Sequence, residues 1–453
     1  MKIKSNTYEK VRKTVKWFLA LYLLLFLPLA MSAQTIVEED EDIEDDEDEI
    51  VVTDQTGNEE VIEFPEAMTF DLDSLLNEYM AKTYLDGPAD CDMGKGNPTY
   101  EREDYVDRLF RLPSVMEMAY NDVVQKFIDR YSGRLRHSIS YMLGASNFYM
   151  PIFEEALEAY QLPLELKYLP VIESALNPRA VSRVGATGLW QFMLGTGKQY
   201  GLQVNSLIDE RRDPVKASYA AARYLNDLYK IFGDWNLVIA AYNCGPGNII
   251  KAIHRAGNEN KDYWHIYPYL PRETRGYVPA FIAANYIMTY YSLHNICPMT
   301  TRLPAKTDTV VVKRNVHLQQ VAEVVGIDID MLRSLNPMYR RDIVPGASEP
   351  SPIRLPQSEV GKFIDLEDSI YNYRASELLT NRAEVEVRDD VPTYYHKSKR
   401  YTRGKKARAG RGRKARAGRN ARVSSRKARA TSKKARGRVR SKSKSTSRKK
   451  RRR

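Results

Sequence analysis

Cysteine and histidine are scarce in this sequence, which has three Cys and six His among its 453 residues. The histidines are scattered, and His254 and His265 have no ligand partner at a useful spacing, so we predict neither a metal site nor another cofactor. Three cysteines leave one unpaired in any disulfide arrangement. A bridge between Cys244 and Cys297 is one interpretation, without support from their spacing, and three unpaired thiols, Cys91 included, is the other.

The N-terminal apolar run is too short to span a membrane: residues 17–30 give 14 residues, against roughly 20 in a spanning helix. Residues 1–16 carry six Lys/Arg and one Glu, and small residues follow at Ser32 and Ala33. This order predicts a signal peptide cut near Ala33, hence an exported protein of the cell envelope or periplasm. A retained membrane anchor is the alternative, because Met31 is a poor residue three positions before the cut. Cys does not follow the cut, which argues against a lipid-anchored N-terminus.

Acidic residues are absent from residues 397–453, which hold 29 Lys/Arg. The formal net charge of +12 therefore hides a segregation, because the chain without this tail and without residues 1–16 carries −22, with eleven acids in residues 38–49. The tail is predicted to be disordered and to bind a polyanion. Since export is predicted, we expect an anionic membrane or lipopolysaccharide surface rather than nucleic acid. A tail that only aids solubility is the alternative.

Helical periodicity dominates the middle of the chain. The clearest predicted helix covers residues 214–232, because Asp213 and Pro214 form a typical start and Gly233 a typical end. The sequence predicts a mainly α protein in six segments: 1–33 a signal peptide, 34–99 an acidic, largely disordered segment, 100–298 a helical domain, 306–357 a small βααβ module, 358–396 a polar linker with room for one helix, and 397–453 the disordered basic tail.

Acidic residues are also absent between Glu173 and Asp209, in a stretch rich in glycine, aromatic and amide side chains. Glu173 ends an apolar helical pattern, where partial burial raises a carboxyl pKa toward neutrality, as a general acid requires. The two glycines of V-G-A-T-G allow a tight turn near a ligand. The following Trp-Gln-Phe-Met, residues 190–193, supplies amide, aromatic and thioether groups that suit the polar edges and apolar face of a sugar. The alternative is a solvent-exposed Glu173 beside a Trp that belongs to an ordinary core.

Four motifs of this region resemble those of the lysozyme-like lytic transglycosylases, enzymes that cut bacterial peptidoglycan. The first two motifs lie within residues 173–202, which read E-S-x-x-N-P, then S-x-x-G-A-x-G-L-W-Q-F-M, then Y-G-L. The third motif, A-Y-N-x-G-P-G, is 241–247, and the fourth, L-P-x-E-T-x-x-Y-V, is 270–278. The flanking residues 151–170 resemble the membrane-bound lytic transglycosylase D branch. The resemblance covers about residues 100–295 and implies a lysozyme-like helical domain of the goose-type/SLT class.

This resemblance implies a reaction with a single catalytic carboxylate. Glu173 would protonate the glycosidic oxygen between N-acetylmuramic acid and N-acetylglucosamine. It would then take the proton of the muramoyl C6 hydroxyl as that oxygen attacks C1 of the same sugar, giving a 1,6-anhydro product without consuming water. An intramolecular nucleophile has an effective molarity of roughly 10⁵ M or more, so no second carboxylate is needed to hold a water.

The resemblance also assigns roles to other motif residues. Ser182 would assist the C6 hydroxyl or the developing positive charge, and Tyr242 would lie near the Glu173 carboxyl and orient it. Glu273 would line the groove as a binder rather than a catalyst. The full set implied to bind substrate is Ser182, Gln191, Met193, Tyr242, Asn243, Glu273 and Tyr277.

The 306–357 module resembles a LysM domain, a small fold that grips N-acetylglucosamine chains. Its usual G-D-T-L reads Asn-Val-His-Leu at 315–318, while L-x-x-L-N-P is kept at 332–337, which implies a kept fold with weakened sugar binding. The expected partner is the peptidoglycan glycan strand, and the oligomeric state stays open. Two alternatives to the transglycosylase remain: a hydrolytic lysozyme on the same fold, and a catalytically idle peptidoglycan-binding protein.

Overall fold

The computed structural model describes residues 49–53, 59–65, 91–257 and 262–380. Its helices are α1 Arg102–Phe110, α2 Asp122–Ser132, α3 Arg136–Ala159, α4 Leu169–Ser174, α5 Leu194–Gln199, α6 Pro214–Phe232, α7 Trp235–Cys244, α8 Pro246–Arg255, α9 Tyr263–Ile266, α10 Arg272–Tyr290, α11 Leu318–Val325, α12 Ile329–Leu335, α13 Val360–Asp365, α14 Glu367–Asn372 and α15 Ala375–Leu378. Its strands are β1 Glu49–Thr53, β2 Glu59–Glu63, β3 Thr307–Val312, β4 Asn315–His317, β5 Ile343–Pro345 and β6 Ser351–Pro356. The prediction of a mainly helical protein with a small strand-containing module is confirmed.

The predicted signal peptide, most of the acidic segment and the basic tail lie outside the described residues. Among the residues that are described, no helix combines the length and the apolar character needed to cross a bilayer.

Helix α10 runs through the centre of the helical domain, and nearly every residue from Thr274 to Met288 is buried. It packs against α2, α7 and β2. Pro279 lies inside this helix and offers no N–H to the carbonyl one turn earlier. That carbonyl, of Arg275, instead accepts a hydrogen bond from the Tyr263 hydroxyl at 2.9 Å. Helix α10 therefore continues past its proline because a side chain from α9 replaces the missing donor.

Helix α6 has the bounds that the sequence predicts. The Asp213 carboxylate accepts hydrogen bonds from the amides of Val215 and Lys216 at 2.9 and 3.0 Å, which satisfies two of the free N–H groups at the helix start. Pro214 takes the first helical position, and Gly233 ends the helix with φ 66°. The alanine-rich face of α6 packs against α3 and α7.

Strands β1 and β2 form an antiparallel pair, with Glu49 opposite Glu63; we call it the N-terminal strand pair. Ile62 is fully buried, and the Phe64 ring meets the Phe127 ring edge-on, with centroids 5.1 Å apart. These residues lie within the 34–99 segment that the sequence predicts to be largely disordered. They form packed structure because Ile62 and Phe64, two positions apart, bury their side chains together against α2 and α10.

Cys91 and Cys297 form a disulfide across 206 residues of sequence, with Cα atoms 5.9 Å apart. Cys244 is a free thiol. Both interpretations of the cysteines, a Cys244–Cys297 bridge and three unpaired thiols, are therefore wrong. The two bridged residues lie at the two ends of the helical domain, and their pairing ties these ends together, which no spacing in the sequence indicates.

The second module pairs β3 with β6 and β4 with β5, both antiparallel, around helices α11 and α12. Its core includes Val312, Val316, Leu332 and Ile353, all fully buried. The strand region that opens the predicted βααβ module is divided into β3 and β4, because the chain turns between Val312 and Asn315.

The module extends past its predicted end at residue 357. Helices α13 and α14 bury Phe363 and Ile370 in the module core. The Gln320 side-chain amide is buried and donates to the carbonyls of Ile370 at 3.0 Å and Tyr373 at 2.7 Å. The segment predicted as a linker from residue 358 is thus packed structure through residue 379, because its few apolar residues are spaced to reach the module core.

Candidate active site

A cleft of about 670 Å³ opens where the end of α4, the turn after it, the end of α7 and the start of α10 meet. All eight residues that the motifs single out line it, although they come from segments more than 100 residues apart: Glu173, Ser182, Gln191, Met193, Tyr242, Asn243, Glu273 and Tyr277.

Glu173 lies in the last turn of α4. The helix ends directly after it, because Ala175 and Leu176 take the left-handed backbone region with φ 50° and 59°. This conformation costs a non-glycine residue roughly 1–2 kcal/mol, so other contacts have to hold it. One of them is buried: the Ser174 hydroxyl donates to the Leu189 carbonyl at 2.9 Å. The turn thereby presents the Glu173 carboxyl to the cleft from a fixed backbone.

The Glu173 carboxyl is half-buried between apolar neighbours and the cleft. Burial disfavours its charged form and raises its pKa from 4.5 to about 7. A hydrogen bond from the Tyr277 hydroxyl to Glu173 Oε1 acts in the opposite direction and favours the carboxylate. The two effects leave a group that is about half protonated near neutral pH and can donate or accept a proton there.

Tyr277, and not Tyr242, makes the hydrogen bond to Glu173. The Tyr242 hydroxyl donates instead to the Trp190 carbonyl at 2.7 Å. Burial and the nearby Glu173 charge raise the pKa of Tyr242 well above its ordinary value, so the two groups do lie near each other. The predicted proximity of Tyr242 to the carboxyl thus comes without a hydrogen bond between them, because the Tyr242 hydroxyl is taken by a backbone carbonyl, and its orienting role stays a prediction.

The glycine turn, residues 185–192, forms one side of the cleft. Gly185 and Gly188 have φ 87° and 88°, and a Cβ atom on Gly188 would lie 1.8 Å from the Arg211 carbonyl oxygen. Only glycine fits such a close backbone approach. Gln191 has φ 45°, and its side-chain amide donates to the Gly188 carbonyl at 2.8 Å. Gln191 therefore also holds the turn from within.

Trp190 is a core residue. It is fully buried, its indole N–H donates to the Ser218 hydroxyl at 2.9 Å, and its ring meets Phe153 edge-on at 5.3 Å. It does not line the cleft, whereas Met193, three residues later, is 46% exposed there. Of the Trp-Gln-Phe-Met run, the cleft thus receives Gln191, Phe192 and Met193.

Three other motif residues present polar atoms to the cleft. The Ser182 hydroxyl accepts a hydrogen bond from the Ala186 amide at 3.0 Å. The Asn243 side-chain oxygen accepts one from the Thr274 hydroxyl at 2.9 Å, which leaves its NH₂ as the donor that can meet a ligand. Glu273 is exposed at the start of α10.

Sequence reasoning missed one wall of this cleft. Glu63, Phe64 and Pro65, directly after the N-terminal strand pair, line it together with Glu173. Their signal in the sequence is weak: two apolar residues two positions apart, next to an acidic stretch. Tyr224 and Thr196 also line the cleft, although neither belongs to one of the four motifs.

Within the ranges that the structure describes, no group of three or more His, Cys, Asp or Glu residues lies in an arrangement that could hold a metal ion. The cleft lining itself offers carboxyl, phenol, amide and hydroxyl groups.

Comparison with known proteins finds similarity in both folded parts. The family model of the transglycosylase SLT domain matches residues 150–265, and that of the LysM-like domain of lytic transglycosylase MltD matches residues 306–372. These two stretches of the chain are thus similar to an SLT domain and to an MltD-type LysM-like domain.

Among curated proteins, this two-domain chain is 36% identical over 199 residues to the membrane-bound lytic murein transglycosylase D of Escherichia coli K12, which covers 43% of each protein. A soluble lytic murein transglycosylase of the same strain is 32% identical over 124 residues, 26% of this chain and 19% of that protein. The structure of the 70 kDa soluble lytic transglycosylase of E. coli is similar at 29% identity and a TM-score of 0.28, over 32% of this chain and 24% of that chain. The chain thus spans less than half the length of these relatives.

Proposed function

We propose that this chain is a peptidoglycan lytic transglycosylase that cleaves the β-1,4 bond between N-acetylmuramic acid and N-acetylglucosamine and forms 1,6-anhydro-N-acetylmuramic acid. The observation that carries the proposal is Glu173, whose pKa is about 7 and which faces a cleft lined also by the seven other residues to which the resemblance assigns roles. The two matched domains and the relatives' names add independent support.

The proposed reaction uses the two protonation states of Glu173 in turn. The protonated carboxyl donates its proton to the glycosidic oxygen, and the C1–O bond breaks as positive charge develops on the muramoyl ring. The resulting carboxylate takes the proton of the C6 hydroxyl while that oxygen forms a bond to C1. The proton lost in the first step returns in the second, so Glu173 is regenerated and water is neither consumed nor released.

The surrounding groups have distinct roles in this proposal. Tyr277 holds the carboxyl through its hydroxyl and stabilises the charged form between the two steps. The Asn243 NH₂ binds the N-acetyl carbonyl, and Ser182 assists the C6 hydroxyl. Met193 and Phe192 offer the apolar surface on which a sugar ring lies, with Gln191 at its polar edge.

A hydrolytic lysozyme is the second candidate, because two more carboxylates, Glu63 and Glu273, line the same cleft. Either could hold a water for attack on C1, as inverting glycosidases require. Replacing each with Gln separates the two functions. The transglycosylase retains bond cleavage without both carboxylates, whereas a lysozyme that needs one of them loses it.

The single variant that tests the proposal is Glu173→Gln, with Glu158→Gln on the exposed face of α3 as the matched control. Soluble fragments released from purified sacculi are measured. We expect a loss of at least about 100-fold in release for Glu173→Gln and none for the control, with sacculus binding kept by both. Residual release above a hundredth of wild type excludes Glu173 as the acid, and no release by the wild-type chain favours the catalytically idle binder.

The basic residues 397–453 are proposed to hold the exported enzyme at an anionic envelope surface. Support comes from the sequence alone, which has 29 Lys/Arg and no acid there. Each basic residue near such a surface gains roughly 1 kcal/mol. Removing this tail is expected to abolish co-sedimentation with vesicles of anionic lipid at physiological salt, and unchanged co-sedimentation contradicts the proposal.

A further inference from the structure

The LysM-like module is docked directly onto the helical domain. The Asp209 amide donates to the Met338 carbonyl at 2.9 Å, and the Arg340 amide donates to the Leu207 carbonyl at 2.7 Å. Leu207 and Ile208 are buried and belong to the apolar core of the module rather than to the core of the helical domain. A loop of the catalytic domain thus completes the module, and the contact is main-chain pairing together with shared core.

A fully buried carboxylate lies at this junction. Asp209 accepts two hydrogen bonds from the Arg211 guanidinium, from Nε to Oδ1 and from Nη2 to Oδ2, both at 2.9 Å. From the module, Arg340 Nη2 lies 3.9 Å from the same Oδ2, and its Nη1 donates to the Asn205 carbonyl at 3.2 Å. Moving such charges out of water is costly, so removing one partner of the group leaves the others uncompensated.

Arg211 connects this junction to the glycine turn of the cleft. Its Nη1 donates to the carbonyls of Gly185 at 3.1 Å and Phe192 at 3.2 Å, the two ends of the turn. Its own backbone carbonyl is the atom against which Gly188 packs. One buried side chain therefore contacts the module-facing carboxylate with one edge and the cleft turn with the other.

We propose that Asp209 and Arg211 are positioning residues, through which the docked LysM-like module holds the glycine turn, and with it Gln191 and Met193, in the geometry that the reaction needs. This inference rests on the proposed transglycosylase function. The module is then a structural part of the active site, in addition to any affinity of its own for glycan. A misplacement of about 1 Å at a reacting group lowers a rate by roughly 100-fold. A loss in rate of up to this size is therefore expected when the contact between Asp209 and Arg211 is disturbed.

The test uses the full chain and, as substrate, a soluble glycan fragment of two disaccharide repeats, so that retention on intact sacculi does not enter the rate. Asp209→Asn removes the negative charge of the buried carboxylate and leaves the arginines around it. Ile208→Asp places a charge in the module core and is designed to undock the module without changing the Asp209 and Arg211 side chains themselves. Arg374→Ala, in an ion pair with Glu377 on the module surface, is the matched control.

We expect both junction variants to lower kcat by about 10- to 100-fold with KM for the fragment changed less than threefold, and the control to match wild type. Hydrogen exchange at the amides of Asp209 and Arg340 measures undocking. A wild-type kcat in either folded junction variant overturns the inference, as does a loss confined to KM on intact sacculi, which is the result for a module that only binds glycan. Absence of anhydro product from the wild-type chain instead contradicts the proposed function.

Discussion

The Tyr277 hydroxyl, on the long central helix α10, donates a hydrogen bond to the Glu173 carboxylate at the end of the short helix α4, 104 residues earlier in the sequence. The bond joins the first and the fourth motif of the resemblance. It also opposes the effect of burial on the Glu173 carboxyl, because it stabilises the charged form that burial destabilises. The balance of these two effects sets the pH at which Glu173 changes from acid to base, and it can be tested directly.

The pH dependence of kcat/KM follows from this balance. The first step needs protonated Glu173, so the rate is expected to fall as pH rises through about 7. Tyr277→Phe removes a bond that favours the carboxylate, which raises the Glu173 pKa and moves this decline to higher pH by about one unit. Tyr242→Phe, whose hydroxyl contacts the Trp190 carbonyl, leaves the decline in place. A decline at the same pH in wild type and Tyr277→Phe contradicts the assignment.

Sequence reasoning singled out both Glu173 and Tyr277, but it did not predict the hydrogen bond between them. The eight residues named from the motifs all line one cleft, and their roles stay predictions. The sequence did not indicate that Tyr277 rather than Tyr242 bonds to the carboxyl, since which of two tyrosines reaches it depends on where helices α7 and α10 cross. That crossing is set by packing of the core and leaves no local pattern in the sequence.

Long-range contacts account for the other differences. The strand pair that contributes Glu63 to the cleft forms because Ile62 and Phe64 find an apolar surface on helices α2 and α10, more than 60 residues later. The Cys91–Cys297 bridge depends on the same tertiary arrangement. The helix over Pro214–Phe232, by contrast, follows from local capping by Asp213 and Gly233, and its bounds were predicted without error.

The pH dependence of the free energy of unfolding provides a second test of the raised pKa of Glu173. Glu173 has a pKa of about 7 in the folded chain against 4.5 ordinarily, so the folded state binds more protons between these pH values. Stability is therefore lost as pH rises from about 4.5 to 7, by at most about 3 kcal/mol. Glu173→Gln stays neutral at every pH. We expect its free energy of unfolding, measured by urea titration, to exceed that of wild type by about 1–3 kcal/mol at pH 8 and to differ little at pH 4.5. Equal stability of both proteins at pH 8 contradicts a buried Glu173, and Glu158→Gln is the control.

The disulfide makes a separate prediction. Cys91 and Cys297 close a loop of 206 residues, and cross-links of this kind commonly contribute about 2–4 kcal/mol by restricting the unfolded chain. Cys91→Ser and Cys297→Ser are each expected to lower the free energy of unfolding by that amount, and reduction of wild type is expected to do the same. Cys244→Ser, at the free thiol, serves as the control: it keeps the bridge and is expected to lose the same stability as wild type on reduction, whereas Cys91→Ser and Cys297→Ser are expected to show no further loss. Denaturant titration with and without reductant measures all four cases.

Two glycines of the same turn differ in what a methyl group would meet. Gly185 and Gly188 have almost equal φ angles, but only at Gly188 does a Cβ approach another atom, at 1.8 Å from the Arg211 carbonyl oxygen. Gly185→Ala is expected to cost about 1 kcal/mol, the cost of the left-handed conformation alone. Gly188→Ala is expected to cost several kcal/mol more, since the turn has to leave Arg211, and to lower kcat with it. Similar stabilities for the two variants would mean that the turn does not rest on Arg211.

The most direct test of the central claim is digestion of peptidoglycan in water enriched in oxygen-18, followed by mass spectrometry of the released fragments. If the C6 hydroxyl attacks C1, every new muramic acid end is a 1,6-anhydro sugar that is lighter by one water and carries no heavy oxygen. If water is the nucleophile, the new ends are reducing sugars that contain oxygen-18. Label-free anhydro ends that disappear in Glu173→Gln are the predicted result, and labelled reducing ends contradict the account.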